Sequence, residues 1–217
     1  MSDNVLWIKT GQRGARAEFS DSDLFTTLLL LYDEPMGRYK LQKELKLTDS
    51  SSKSLLNFCK NKFFLITNIG RKGHSLGQQG EKLVKIIKEK IVSFGKFNYE
   101  AFKNKQHSYV IYKTKLKKEE IFSWKIRDIA ISYGSEAILV LYLDKKGKIN
   151  FPEKEMSLEN FYPDLELEIN KIFQTTKEEN YIILVISANS FEVARKSAII
   201  TALRSQETLY ANLKTYL

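Results

Sequence analysis

The chain has 217 residues, of which 43% are apolar and 28% charged, with one cysteine, two histidines and a net charge of +9. This composition is typical of a folded protein with one or two cores, and it excludes extensive disorder and a disulfide framework. The apolar runs are too short to span a bilayer and we find no secretory signal, so we expect a cytoplasmic protein with no membrane partner.

The positive charge is concentrated in the middle third of the chain. Residues 51–118 carry 16 basic and 3 acidic side chains, whereas the segments on either side are slightly acidic. A cationic block favours a polyanion as partner, because each Lys or Arg placed near a phosphate releases condensed counterions. The alternative is a solvated lysine-rich surface, and charge alone does not separate the two.

Two amphipathic helices are predicted before residue 48. Ser20 or Asp21 caps the first, which runs to about Tyr32 and is followed by helix-breaking residues. The second helix presents Leu41 and Leu45 to a core and keeps its basic side chains in solvent. Each helix has one apolar face, so we expect both to pack in one small domain.

A third helix, a hairpin and a fourth helix follow. Thr48 or Asp49 caps the third helix, whose inward stripe recurs with the helical period. Residues 64–76 are β-branched and aromatic around a glycine turn at 70–73, which predicts the hairpin. The fourth helix carries an apolar face that ends at Ile91. Three helices followed by a hairpin predict a winged helix-turn-helix.

The polar side of the third helix and the hairpin turn are the expected contacts with duplex DNA. The N-terminal half of this helix is expected to enter a major groove, with the two cations of the turn near a neighbouring minor groove or phosphate ridge. The candidate DNA-binding residues are Arg38, Lys40, Ser50, Ser51, Lys53, Ser54, Asn57, Lys60, Arg71, Lys72 and His74. The alternatives are that the serines only cap the helix, that the turn is an ordinary solvated one, and that this domain binds protein.

The second half of the chain alternates strands and helices. Strands are predicted at 109–112, 137–143, 148–151 and 181–187, and helices at about 118–133, 164–173 and 190–205. This βαββαβα order predicts an α+β domain, a two-layer α/β sandwich with a mainly antiparallel sheet and its helices on one face. We therefore predict a winged helix-turn-helix domain at 1–95 and an effector-binding or dimerisation domain at 96–217.

Six short motifs run through both halves. They are Gly37-Arg38-Tyr39-Lys40-Leu41, residues 50–65, Ile126-Arg127-Asp128-Ile129-Ala130, Tyr133-Gly134-Ser135-Glu136-Ala137, residues 147–152, and Ala194-Arg195-Lys196-Ser197-Ala198. Together they resemble an archaeal family of proposed winged-helix transcription regulators of about this length. The resemblance implies a C-terminal α+β domain akin to the small insert domain of some bacterial aspartyl-tRNA synthetases, and it implies no established activity. The chain departs from the family pattern at Ser135, Glu136 and Ser197.

Four charged residues of the second half are candidate effector contacts. Arg127 and Asp128 are adjacent on a helix, so their side chains point about 100° apart and do not pair with each other. One hypothesis is that Arg127 holds a small anionic effector with help from Arg195 or Lys196. The alternative is that these side chains form ion pairs that fix helix to sheet.

The sequence contains none of the catalytic motifs that would indicate an enzyme. It has no phosphate-binding loop, nucleophile elbow or metal-ligand cluster, so we expect a non-catalytic protein without a cofactor or metal. The enzyme alternative is a nucleotide-dependent riboflavin kinase of the winged-helix type, which would have a barrel as its second half.

Aromatic residues interleaved with lysines leave a third class open, an RNA- or ribosome-associated binding protein. Stacking platforms have this pattern, although the rings could equally pack inward. The residues are Phe94, Phe97, Tyr99 and Phe102 among Lys96, Lys103 and Lys105.

The function that we predict from the sequence is a DNA-binding transcriptional regulator. Its partner would be double-stranded DNA. We expect a homodimer formed by the fourth helix or the second domain, since helix-turn-helix proteins commonly grip two half-sites. The last segment, with Leu209, Tyr210 and Leu213 at near-helical spacing, either completes a core or binds a second copy.

Overall fold

The computed structural model describes residues 19–99, 105–153, 156–173 and 179–217. These residues divide into two compact units. The first consists of the chain up to Lys88 together with Gln206–Leu217, and the second comprises Glu89–Ser205. The sequence had placed the boundary after residue 95 and the last segment in the second domain. The boundary differs because residues 91–97 form a strand of the second unit and the last helix packs in the first.

In the part that the structure describes, the first unit contains five α-helices and a hairpin. They are α1 (Asp21–Asp33), α2 (Arg38–Leu45), α3 (Asp49–Asn57), β1 (Ile66–Asn68), β2 (His74–Leu76), α4 (Gln78–Lys88) and α8 (Glu207–Lys214). A π-helical turn, Phe58–Lys62, extends α3, and β1 pairs with β2 in antiparallel register. The predicted order of three helices, hairpin and helix is therefore present. The assignment of Ile91 to the fourth helix is wrong, because α4 ends at Lys88 and Ile91 begins a strand.

Local sequence signals fix where the first helices begin and end. Ser20 caps α1 in a capping box with Asp23, and the Thr48 hydroxyl accepts a hydrogen bond from the Ser51 amide at 3.1 Å at the start of α3. Between α2 and α3, Lys46 adopts the left-handed conformation with φ of 53°. This residue closes the α2 helix, since the Leu47 amide donates back to the Gln42 carbonyl.

The last helix completes the core of the first unit. Leu209, Tyr210 and Leu213 are buried on α8, and the Tyr210 hydroxyl donates a hydrogen bond to the buried Asp21 carboxylate of α1. The Tyr210 ring also lies 6.3 Å from that of Phe25. Of the two roles left open for the terminal segment, the structure assigns these residues to core formation.

The second unit is built on one antiparallel sheet. Its elements are β3 (Ile91–Phe97), β4 (Gln106–Thr114), α5 (Ser123–Ser132), β5 (Ala137–Leu143), β6 (Ile149–Asn150), α6 (Pro163–Ile172), β7 (Asn180–Ala188) and α7 (Phe191–Arg204). The strands lie in the order β3-β4-β7-β5-β6, and every neighbouring pair is antiparallel. Mixed helices and an antiparallel sheet confirm the α+β class. The strand β3 was not predicted.

Helices cover both faces of this sheet, so the two-layer expectation is wrong. Strand side chains alternate between faces. One face, with Ile111, Ile183 and Leu141, shares a buried cluster with Leu165 and Ile169 of α6. The other face carries Tyr112, whose hydroxyl lies 2.9 Å from the Ser205 hydroxyl at the end of α7.

Helix α5 lies on the α7 face, because the Ser197 hydroxyl of α7 donates to the Ala130 carbonyl of α5 at 3.1 Å. The sequence did not predict that the helices cover both faces, because α6 has an ordinary amphipathic pattern, and such a pattern does not say which sheet face the helix covers.

Across the described ranges, no helix has the length and apolarity needed to cross a membrane.

Candidate nucleic-acid interface

The outer side of α3 presents polar residues at helical spacing. Ser50, Lys53, Ser54 and Asn57 are all exposed and recur at i, i+3, i+4 and i+7, so they form one continuous surface, the α3 stripe. The inner side buries Ser52, Leu55, Leu56 and Cys59 as the sequence predicted. Small hydroxyl and amide side chains on the outer side allow a ligand to approach the helix backbone closely.

Ser51 does not belong to the α3 stripe. It is buried, its amide donates to the Thr48 hydroxyl, and the two hydroxyl oxygens lie 2.7 Å apart. Ser51 therefore stabilises the start of the helix, as in the capping alternative, because it stands three positions after the cap on the inner side.

Asp49 holds two of the predicted DNA-binding cations. Its carboxylate forms an ion pair with Arg38 and a second one with the Lys53 ammonium at 2.7 Å. The hydrogen bond from Lys53, with the charge of Arg38, lowers the pKa of Asp49 below its ordinary value. A carboxylate that stays ionised beside the α3 stripe reduces the positive potential there.

The cations of α2 are likewise engaged. The Arg38 guanidinium carbon lies 4.5 Å from the centroid of the exposed Tyr39 ring, and the Lys40 ammonium lies 2.5 Å from a Glu34 carboxylate oxygen. Exposed pairs of this kind contribute little to stability and exchange readily for other partners. A phosphate would therefore compete with an acidic partner for each of these cations.

The tip of the β1–β2 hairpin, Gly70–Lys72, exposes two cations. Arg71 and Lys72 lie in a 3₁₀ turn, and no ion pair is found for either among the residues that the structure describes. Gly73 follows with φ of +91°, and a Cβ there would lie 2.5 Å from the Met36 carbonyl oxygen. Only glycine fits this position, since both the conformation and the close backbone approach exclude a side chain.

His74 anchors the hairpin to the segment before α2. Its amide and carbonyl both bond to Met36, with N–O distances of 2.8 and 2.9 Å, and its side chain is only partly exposed. Burial, with a smaller contribution from the Lys60 charge, lowers the pKa of the His74 imidazole. His74 is therefore mainly neutral at pH 7 and adds little charge to the hairpin.

The sequence did not predict the turn that extends α3. Residues 58–62 continue the helix as a π-helical turn, with Lys60, Asn61 and Lys62 exposed. The Lys62 ammonium lies 5.4 Å from the Phe58 ring centroid and 5.3 Å from that of Phe63. Apolar spacing gives no signal for a π turn, although the cations near the end of the stripe were visible in the sequence.

In the second unit, the four candidate effector residues do not meet in one cavity. Arg127 lines a cavity of about 620 Å³, whose described lining contains neither Asp128, Arg195 nor Lys196. Asp128 is exposed, and Arg195 is buried with its guanidinium 5.0 Å from the Phe191 ring centroid. Of the four, only Arg127 faces this space.

Of the aromatic residues proposed for RNA stacking, Phe97 and Tyr99 pack inward. Phe97 is 2% exposed within the core cluster of the sheet, and Tyr99 packs against that cluster. Phe94 lies within β3, while Phe102 and Lys103 lie outside the described residues. In the described residues, the alternation of aromatic rings and lysines that suggested an RNA-stacking platform belongs to β3, an edge strand of the sheet.

The described chain offers no cluster of His, Cys, Asp and Glu suited to a metal ion. Cys59 is completely buried, and burial raises the pKa of its thiol. A buried thiol with a raised pKa is neither a nucleophile nor a metal ligand at neutral pH.

Comparisons with known proteins give a match to a family model for residues 102–207 and a similar fold for most of the chain. Residues 102–207 match the family model described as "Domain of unknown function (DUF4443)". A solved structure, hypothetical protein PH0730 from Pyrococcus horikoshii OT3, is similar with a TM-score of 0.73 and 22% identity, over 92% of this chain and 100% of that one. The curated proteins gave no match. These findings fit an archaeal family of unknown function, and the structural likeness extends to the fold alone.

Proposed function

We propose that this protein is a DNA-binding transcriptional regulator and not an enzyme. In this proposal α1, α2, α3 and the hairpin form a winged helix-turn-helix, with the α3 stripe in a major groove and the hairpin tip on the adjacent backbone. The observation that carries the proposal is the pairing of an exposed polar stripe with an exposed dicationic hairpin tip in one unit.

The distribution of cations supports backbone contacts more than base reading. Lys53 and Lys60 are spaced along α3 and its extension, and Arg71 with Lys72 adds two charges at the hairpin tip. None of the α3 stripe residues is an arginine, which would read guanine with two parallel hydrogen bonds. We therefore expect strong salt dependence and modest sequence preference.

The test is a salt titration of duplex DNA binding by the full chain. Replacing both tip cations, Arg71→Ala with Lys72→Ala, should weaken binding about equally for different sequences. It should also flatten the slope of log K against log salt by about two, because each lost phosphate contact removes about 0.9. Fluorescence anisotropy with labelled duplexes at several salt concentrations measures both effects.

The chain provides a matched control in the second unit. Lys145 and Lys146 form an exposed two-cation turn between β5 and β6. Their double alanine variant changes the net charge equally, and it should leave the slope unchanged. Equal slopes for the wild type and both double variants would refute the placement of the hairpin tip on DNA.

The proposal includes a homodimer that places two α3 helices on successive half-sites. Such half-sites lie about 34 Å apart, one helical turn of DNA. Light scattering of the protein, free and bound to a duplex of two half-sites, should give two chains per complex. A mass of one chain in both states would rule this arrangement out.

A further inference from the structure

The Arg127 cavity of the second unit is a groove along the open edge of the sheet. Three consecutive residues of β5, Ile138, Leu139 and Val140, line it. Because side chains of a strand alternate between faces, three neighbours in sequence meet the same space only where the strand edge forms its floor. We call this space the edge groove.

The two walls of the edge groove come from opposite faces of the sheet. Ser123, Trp124 and Arg127 of α5 form the wall on the α7 face. Phe151 and Tyr162, whose ring centroids lie 6.3 Å apart, belong to the wall on the α6 face. Trp124 and Tyr162 remain about half exposed, at 50% and 51%, so each wall offers uncovered aromatic surface.

The hydrogen-bond register shows which backbone groups face the edge groove. Tyr142 pairs with Asn150 of β6, and the Asp144 amide donates to the Lys148 carbonyl at 3.1 Å. Backbone groups of alternate residues point to the same side of an antiparallel strand. The N–H and C=O groups of Ile138 and Val140 therefore point away from β7, toward the side where β6 has already ended.

Pro152 accounts for the early end of β6. In the register that pairs Tyr142 with Asn150, the residue opposite Val140 would be residue 152. Proline has no amide proton and cannot continue a ladder. Among the described residues, no strand pairs with β5 on this side before Tyr142, so polar backbone groups line the floor between two aromatic walls.

We propose that the edge groove binds an extended acidic peptide segment, which adds to β5 as an antiparallel strand. Such strand addition takes affinity from main-chain hydrogen bonds and specificity from the pockets for alternate side chains. The antiparallel direction follows the rest of this sheet, in which every pair is antiparallel.

The two walls define the sequence of the peptide. In antiparallel pairing, peptide residues bonded to Ile138 and Val140 carry their side chains on the α5 face, where Arg127 offers a guanidinium for a carboxylate. The alternate residues face Phe151, Tyr162 and Glu153. The two aromatic rings accept apolar side chains, and the negative charge of Glu153 disfavours a second acid. The segment therefore alternates acidic and apolar residues.

A tryptophan titration of the full chain tests this proposal. The sequence has two tryptophans, and the Trp7→Phe variant keeps Trp124 in the groove wall as the reporter. The probe is an acetylated and amidated hexapeptide of alternating valine and glutamate. It should change Trp124 emission with a Kd below about 1 mM, and Arg127→Gln should weaken binding about tenfold or more. Lys146→Gln is the charge-matched control, with an unchanged Kd.

Two modified peptides test the strand geometry without altering the protein. Methylation of the glutamate amides removes the donors that face β5 and should abolish binding, whereas methylation of the valine amides affects only the outer edge and should preserve it. The lysine analogue should not bind. The proposal is overturned if the glutamate peptide does not bind, if both methylated peptides bind alike, or if the lysine analogue binds as well. Equal binding of the methylated peptides would indicate a small-molecule cavity instead.

Discussion

The hydroxyl of Tyr210 donates a hydrogen bond to the carboxylate of Asp21, a residue 189 positions earlier in the chain. Both residues are buried, and the contact joins the last helix to the first turn of α1. The first unit is therefore discontinuous in sequence, and its core depends on the end of the chain.

Tyr210→Phe should lower the free energy of unfolding of the first unit by about 1–3 kcal/mol. The substitution keeps the ring against Phe25 but removes one hydrogen bond to a buried carboxylate, and hydrogen bonds to charged groups contribute this much. Urea denaturation followed by circular dichroism measures the change. Tyr216→Phe, at an exposed tyrosine of the same segment, is the control and should change little.

Lys46→Gly should stabilise the first unit by about 1 kcal/mol. Lys46 has φ of 53°, a conformation that costs L-residues about 1–2 kcal/mol and glycine nothing. The same substitution within α2, Lys43→Gly, should destabilise by about 1 kcal/mol, because it only adds backbone entropy to the unfolded chain. Opposite signs in urea midpoints confirm the left-handed turn, while two losses of equal size contradict it.

The elements of the first unit were largely predictable because their signals are local. Ser20 and Thr48 cap helices as expected, and the glycines around residues 70–73 close the hairpin. Ser51 was wrongly predicted to face DNA. Whether a serine near a helix cap is exposed or buried changes within half a helical turn, and the residue types alone do not show which side of the helix it occupies.

Features set by long-range packing could not be predicted in the same way. Residues 91–97 were attributed to a helix and a linker, since Ile91 continues the apolar spacing of α4. Their pairing with β4 makes them a strand, and the choice between helix and strand for such a short run rests on tertiary contacts. The edge groove was invisible for the same reason: it requires knowing that β6 is two residues long and ends before Pro152.

Asp49→Asn should increase affinity for duplex DNA if the proposed function is correct. The substitution removes a negative charge beside the α3 stripe and releases Arg38 and Lys53 for phosphates. The slope of log K against log salt should steepen by about one to two. Asp33→Asn, an equal charge change at the end of α1, is the control. If both variants change affinity alike, only net charge matters and the position of Asp49 beside an interface is contradicted.

His74 should make the first unit less stable in acid. Burial lowers the pKa of His74 below its ordinary value of 6.5, so below that pH the unfolded chain binds more protons at this residue than the folded chain. The stabilising contribution of neutral His74 is present above pH 6.5 and is lost as the pH falls toward the lower pKa of the folded state.

The urea midpoint should therefore drop more between pH 7.5 and pH 5.5 for the wild type than for His74→Gln. Lys60→Gln, which removes the neighbouring charge that also lowers the pKa, should reduce the acid loss, whereas Lys82→Gln on α4 should not. An equal acid loss in the wild type and His74→Gln would place the imidazole in solvent and contradict its partial burial.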